Sequence, residues 1–99
     1  MKVRTEMGHF WITFDNGYTL SVFNGYGSHT ENHFAIEKWQ DIVKNHQVFE
    51  GWDSDLVEIA ILNKESSLIT RDIIESDDSV KTIDVNELVK IINIVNDIK

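Results

Sequence analysis

The sequence predicts an α+β fold, with an antiparallel sheet of about four strands (two β-hairpins) packed by a C-terminal helix. Three patterns predict it. Residues 10–14 and 18–23 alternate around an Asn-Gly pair, which is the strongest short-range hairpin signal. Residues 56–62 are mostly apolar on both faces, which is typical of a central strand. Residues 84–98 carry a broad apolar stripe at helical spacing. With 99 residues, the chain is expected to form one domain, 1–99.

The first hairpin is expected to start near Gly8 or His9 and to reverse at Asn16-Gly17. Glycine adopts a positive φ without steric cost, and asparagine tolerates it better than most residues. Strand alternation places an apolar set on one face: Phe10, Ile12, Phe14, Tyr18, Leu20 and Val22. The opposite face is mixed, and its aromatic residues are either covered by another segment or offered to a partner: Trp11, Thr13, Thr19, Ser21 and Phe23.

The middle of the chain is less regular. Residues 24–33 are polar and contain glycine, which indicates a loop. Residues 35–46 have apolar side chains at helical spacing, which favours a short middle helix. A long excursion between strands is the alternative interpretation of this segment.

The second hairpin is expected to use residues 56–62 as its first arm, 63–66 as its turn and 67–74 as its second arm. An acidic loop, residues 75–79, follows it.

The end of the chain is predicted to be a short extended piece and then the helix. Residues 80–83 form the extended piece, and Asp84 with Glu87 three residues later resembles a capping box at the helix start. The helix is expected to end near Ile98 and to pack across the sheet. Because it is rich in β-branched residues, it depends on that packing more than on intrinsic propensity.

The composition bears on the cellular compartment of the protein. The chain has no cysteine, so neither a disulfide nor a thiolate zinc site can form. Residues 1–6 lack the apolar core of a signal peptide. No apolar run approaches the roughly 18 residues that span a bilayer. These features predict a soluble cytoplasmic protein without membrane contact.

Charge is unevenly distributed along the chain. The net charge is −8, and residues 50–99 carry twelve acidic against five basic side chains. Binding to a phosphate backbone needs clustered Lys and Arg, which the sequence does not show, so direct nucleic-acid binding is not expected. The acidic second half is explained either by solubility or by contact with a basic protein surface.

Two short motifs carry a resemblance to a known family. The hairpin has Phe14, Asn16-Gly17-Tyr18-Thr19 and Ser21-Val22, and residues 57–60 read Val-Glu-Ile-Ala. In these motifs the chain resembles a family of small uncharacterised proteins encoded by tailed phages and prophages, over about two-thirds of its length. The resemblance implies a phage origin, with the host cytoplasm as the compartment. It also implies a host-takeover or anti-defence role that is exerted by binding.

Catalytic and metal motifs are weak. His29 and His33 lie four residues apart, but neighbouring glycines disfavour the helix that would align them, so no metal site is predicted. Gly25 and Gly27-Ser28 resemble a phosphate-binding turn without its lysine. Serine, threonine, histidine and glutamate occur near one another, yet no nucleophile elbow or oxyanion loop is evident. The chain is therefore predicted not to be an enzyme and to need no cofactor.

Aromatic residues beside glycine and acids in the loops resemble interface anchors with a polar rim. Covering the mixed sheet face is their alternative role. The predicted function is binding of a host or phage protein, through Tyr26, Gly27, Ser28, His29, Phe49, Trp52, Asp53 and Asp55. The alternative is a small-ligand or nucleotide-binding domain that uses the glycine-containing loop. A third hypothesis is a homodimer formed by the mixed sheet face.

Overall fold

The computed structural model describes residues 1–6, 8–24 and 55–99, and it confirms an α+β fold with a sheet and a C-terminal helix. The described strands form one antiparallel sheet of five, in chain order, so the prediction of about four was one strand short. The strands are β1 (Lys2–Glu6), β2 (His9–Thr13), β3 (Thr19–Phe23), β4 (Leu56–Leu62) and β5 (Lys81–Asp84).

The strand that the sequence did not reveal is β1. It pairs with β2 along its whole length, from Lys2 opposite Thr13 to Glu6 opposite His9. All five residues are exposed, and β1 forms one edge of the sheet. Its hydrophobic signal is weak because Val3 is its one aliphatic residue, and strand formation here depends on the neighbouring β2.

The first hairpin closes through a three-residue loop. The Phe14 N–H donates to the Tyr18 carbonyl (2.8 Å), and the Gly17 N–H donates to the Phe14 carbonyl (2.9 Å). Gly17 has φ of 87°, whereas Asn16 keeps a negative φ. This is a type I turn followed by a left-handed residue, so the positive φ expected at Gly17 is confirmed and Asn16 does not need one.

The second turn is confirmed, but the second arm predicted over residues 67–74 is wrong. The Ser66 N–H donates to the Asn63 carbonyl (3.0 Å), and Ser66 takes the left-handed position with φ of 63°. After one isolated bridge between Leu62 and Leu68, the chain enters a short helix, α1 (Thr70–Ile73). The alternation of residues 67–74 was too short to distinguish a strand arm from a helical turn.

Thr70 explains why the chain leaves the sheet at this point. Its side chain is fully buried, and its Oγ1 accepts a hydrogen bond from the Ile61 N–H of β4 (2.9 Å). The same hydroxyl donates to the Ser79 carbonyl (2.6 Å). One side chain therefore satisfies a strand N–H and also links β4 to the segment that precedes β5.

The C-terminal helix follows β5 directly. A 3₁₀ turn (Val85–Glu87) leads into α2 (Leu88–Asn96). The Asp84 carboxylate accepts a hydrogen bond from the Asn86 N–H (2.8 Å), so Asp84 is the N-cap as predicted, although the bond comes from Asn86 and not from Glu87 as in a capping box.

The core lies between α2 and one face of the sheet, as the alternation predicted. Ile91 and Val95 of α2 are buried there, and α2 lies against β3. The buried apolar set is Phe14, Leu20, Val22, Val57, Ile59, Ile61, Ile83, Ile91 and Val95. The mixed set of β2 and β3 therefore lies on the other face of the sheet, opposite α2.

Asn16 connects the first turn to the end of α2. Its Nδ2 donates to the carbonyls of Val95 and Ile98, each at 2.9 Å, and its Oδ1 accepts from the Tyr18 N–H (3.0 Å). Carbonyls at the end of a helix lack partners within the helix, so this side chain supplies a donor to the Ile98 carbonyl and a second donor to the Val95 carbonyl, which also accepts from the Ile98 N–H (3.3 Å). Asn16 thus has a tertiary role that the hairpin pattern did not predict.

Candidate functional site

One of the eight predicted binding residues lies in the described part of the chain. Asp55 is described, while Tyr26, Gly27, Ser28, His29, Phe49, Trp52 and Asp53 lie outside the described residues. The predicted middle helix over 35–46, the histidines considered for metal binding and the glycines considered for nucleotide binding also lie outside them.

Asp55 lies immediately before β4 and is exposed. Its backbone carbonyl accepts a hydrogen bond from the Val85 N–H (2.8 Å), which holds the start of β4 against the start of the C-terminal helical segment. The backbone of Asp55 is therefore structural, and its side chain is available on the surface.

The face opposite α2 carries a stacked group of rings, which we call the aromatic cluster: His9, Trp11 and Phe23. The His9 ring lies 3.7 Å from the Trp11 ring, centroid to centroid, and 5.0 Å from the Phe23 ring, with nearly parallel planes. All three side chains are half-buried. The register explains the group, because His9 pairs with Phe23, and Trp11 is two residues along β2 on the same face.

A cation completes the cluster at the edge of the sheet. Arg4 pairs with Trp11 in the β1–β2 register, and its guanidinium carbon lies 4.8 Å from the Trp11 ring centroid. The Arg4 Nη2 also donates to the Glu6 carboxylate (2.7 Å), two residues along β1. The arginine is thereby held over the indole ring by a cation–π contact and an ion pair.

A hydroxyl lies beneath the rings. The His9 Nε2 and the Ser21 Oγ are hydrogen-bonded at 2.5 Å, and Ser21 is 8% exposed. The pair lies on a continuous sheet, where the backbone N–H groups of β2 and β3 are engaged in the ladder and do not form an oxyanion hole. The His9–Ser21 contact therefore fixes the orientation of the His9 ring.

Burial lowers the pKa of His9 from its ordinary value. The nearby Glu6 and Glu58 carboxylates oppose this shift, while the Arg4 guanidinium adds to it. The neutral imidazole is thus favoured in the stacked arrangement.

We expect the protein to lose stability through His9 as the pH falls. Because the folded-state pKa lies below the ordinary value of about 6.5, the unfolded chain binds more protons between these two values. The contribution of His9 to the free energy of unfolding is fully present above about pH 6.5 and is lost as the pH drops toward the folded-state pKa. Urea unfolding at about pH 7.5 and about pH 5.5 measures it. A His9→Gln variant, which does not titrate there, should lose less stability than the wild type, and equal losses would contradict the account.

A shallow depression of about 250 Å³ adjoins the Arg4 side of the cluster. Hydroxyls form part of its wall, where the Thr13 and Thr19 Oγ1 atoms are hydrogen-bonded at 3.0 Å. Its lining combines one cation, one indole, one aliphatic side chain and three hydroxyl groups: Arg4, Trp11, Leu62, Thr13, Thr19 and Ser66. Such a lining suits a protruding side chain of another protein.

The sequence pattern placed Trp11 and Phe23 on the mixed sheet face but did not indicate that Arg4 and His9 contact them. The signal for Arg4 was the alternation of charged and uncharged residues in β1, which places Lys2, Arg4 and Glu6 on one face. His9 was treated only as the start of a strand, and its stacking follows from the register.

The chain matches no family model, no curated protein and no solved structure. Within residues 1–6, 8–24 and 55–99, no group of three or more His, Asp or Glu side chains could hold a metal ion. None of the helices described for this chain is long and apolar enough to cross a membrane. The aromatic cluster is therefore the strongest candidate site in the described residues.

Proposed function

We propose that this chain is a small accessory protein that acts by binding another protein through the sheet face opposite α2. The observation that carries the proposal is the aromatic cluster, in which stacked rings stay half-buried with Arg4 beside them. Tryptophan and arginine are the residues most enriched among side chains that dominate binding energy at protein interfaces.

The cluster is built on rigid elements. Its residues come from the paired strands β1, β2 and β3, and the His9 ring is fixed by Ser21 as well as by its neighbours. A surface whose rotamers are already ordered loses little conformational entropy when a partner binds.

The described residues that flank the predicted binding segments lie at one end of the sheet. Phe23, at the end of β3, pairs with Glu58 of β4, so Asn24 and Asp55 lie at the end of the sheet where His9 lies. Asn24 and Asp55 flank in sequence the range that contains the other predicted binding residues. The part of these predicted residues in binding remains a prediction.

Charge and resemblance together support the class of partner. The acidic second half favours a basic protein surface over a nucleic-acid backbone. The resemblance to small phage and prophage proteins makes a host or phage protein the proposed partner, with host takeover or anti-defence as the role.

Affinity capture from host lysate tests the proposal when variants are compared. Immobilised wild-type protein should retain one protein partner in stoichiometric amount. Trp11→Thr and Phe23→Thr remove cluster rings while keeping strand-forming side chains, and they should each reduce the retained amount at least tenfold, as expected for interface anchors.

Val89→Thr is the matched control, because Val89 is an exposed apolar residue on α2. It should retain the partner as the wild type does. Circular dichroism must show that all variants are folded. Absence of a stoichiometric partner, or equal retention by all variants, would contradict the proposed function.

A further inference from the structure

We propose that two copies of this chain associate through strand β1, which pairs with itself in antiparallel orientation to join the two sheets. This inference concerns an edge of the sheet and does not depend on the proposed function. It rests on the exposure of β1, on the direction of its backbone groups and on its charge pattern.

The β1 edge offers both backbone and apolar surface. Every residue of β1 is exposed, and its outer side has no neighbouring strand in the described sheet. Val3 is 63% exposed and Met1 is 75% exposed. An edge strand of this kind presents unpaired N–H and C=O groups that another strand can use.

The hydrogen-bond pattern of β2 decides which β1 groups point outward. The Phe14 N–H donates to the Tyr18 carbonyl (2.8 Å), and the Asn24 N–H donates to the Gly8 carbonyl (2.8 Å). Hydrogen-bonded positions alternate along an antiparallel strand, so the even-numbered residues of β2 direct their backbone groups toward β3. The odd-numbered residues of β2 therefore direct their backbone N–H and C=O groups toward β1. In an antiparallel ladder these residues alternate along the strand.

It follows that the residues of β1 divide into two sets. Lys2, Arg4 and Glu6 pair with odd-numbered residues of β2 and direct their backbone groups inward. Val3 and Thr5 direct their N–H and C=O groups toward the open edge. A second β1 strand would meet these two residues.

The register that pairs all five residues is centred on Arg4. In that register Val3 lies opposite Thr5 of the second copy, and each such pair exchanges two backbone hydrogen bonds. Lys2 lies opposite Glu6 of the second copy at both ends of the strand. Oppositely charged side chains directly across an antiparallel pair are stabilising. The charges at the two ends of β1 are therefore complementary across this register.

The two Arg4 residues would meet at the centre, where each guanidinium is turned toward its own chain, and Glu6 is shared between Arg4 of its own chain and Lys2 of the second copy. Each guanidinium lies over its own Trp11 ring and is bonded to its own Glu6. Shifting the register by two residues toward the N-terminus would instead place Lys2 opposite Arg4, which like-charge repulsion disfavours.

Sedimentation velocity between roughly 10 μM and 1 mM tests the pairing, because an edge of this length makes a weak contact. The wild type should shift from monomer to dimer within this range. A wild type that stays monomeric throughout would overturn the proposal.

Thr5→Pro removes an outward-facing N–H and leaves the inward pairing of β1 intact, because proline is tolerated on strand edges. It should weaken the dimer at least tenfold while the circular dichroism spectrum is unchanged. An undiminished dimer in a folded Thr5→Pro variant would also overturn the proposal.

Lys2→Glu gives a second test that does not rely on proline. It places like charges opposite each other at both ends of the strand and should weaken the dimer about tenfold at low salt. Lys90→Glu makes the same charge change on an exposed residue of α2 and should leave the dimer unchanged. Equal effects of the two substitutions would refute β1 pairing.

Discussion

Asn16→Asp is expected to destabilise the folded protein by about 3 kcal/mol at neutral pH. The substitution keeps the shape of the side chain and the acceptor for the Tyr18 N–H. It removes the Nδ2 donor that serves the carbonyls of Val95 and Ile98. It also places a negative charge against the negative end of α2, so a carboxylate would face the Val95 and Ile98 carbonyls with no donor between them.

Urea unfolding followed by circular dichroism measures this loss. Asn93→Asp is the matched control, because it adds the same charge to an exposed position near the same helix end. That variant should lose about 0.5 kcal/mol. Equal losses in the two variants would show that the Asn16 hydrogen bonds do not hold the hairpin to the helix.

Thr70→Val is expected to cost about 2 kcal/mol, although valine has nearly the volume of threonine. The hydroxyl of Thr70 satisfies the Ile61 N–H and the Ser79 carbonyl at once. Valine would leave a strand N–H unpaired at a site that is fully buried. Removing one member of a buried hydrogen bond carries the desolvation cost of the group that remains.

Thr70→Ser distinguishes the contribution of the hydroxyl to stability from that of the methyl group. Serine keeps both hydrogen bonds and loses only the methyl contact, so it should cost about 1 kcal/mol. Thermal and urea unfolding of the three proteins test the ranking. A serine variant that is less stable than the valine variant would mean that packing, and not the hydroxyl, holds α1 against β4.

Sequence reasoning succeeded for the elements with strong periodicity. Strands β2, β3 and β4 and the helix after Asp84 each have an apolar face or core with enough residues to determine the element. β1 was missed because it buries none of its residues. The helix α1 was missed because residues 67–74 are too few for a clear period, and the buried hydrogen bonds of Thr70 depend on tertiary packing.

The candidate site was predicted only in outline. Alternation alone placed Trp11 and Phe23 on the mixed face, and the structure agrees. The contact of Arg4 with Trp11 depends on the register between β1 and β2, which the alternation of charges in residues 2–6 does not specify. The link from Asn16 to α2 spans most of the chain and depends on tertiary packing, which no local pattern encodes.

The most direct test of the proposed function is hydroxyl-radical footprinting of the protein with and without the partner obtained by affinity capture. We expect the modification rates of Trp11 and Phe23 to fall when the partner is bound, because their rings would be covered. Leu68 and Val89 are exposed elsewhere on the molecule and should keep their rates. Unchanged rates at Trp11 and Phe23 with protection at Leu68 or Val89 would contradict binding through the aromatic cluster.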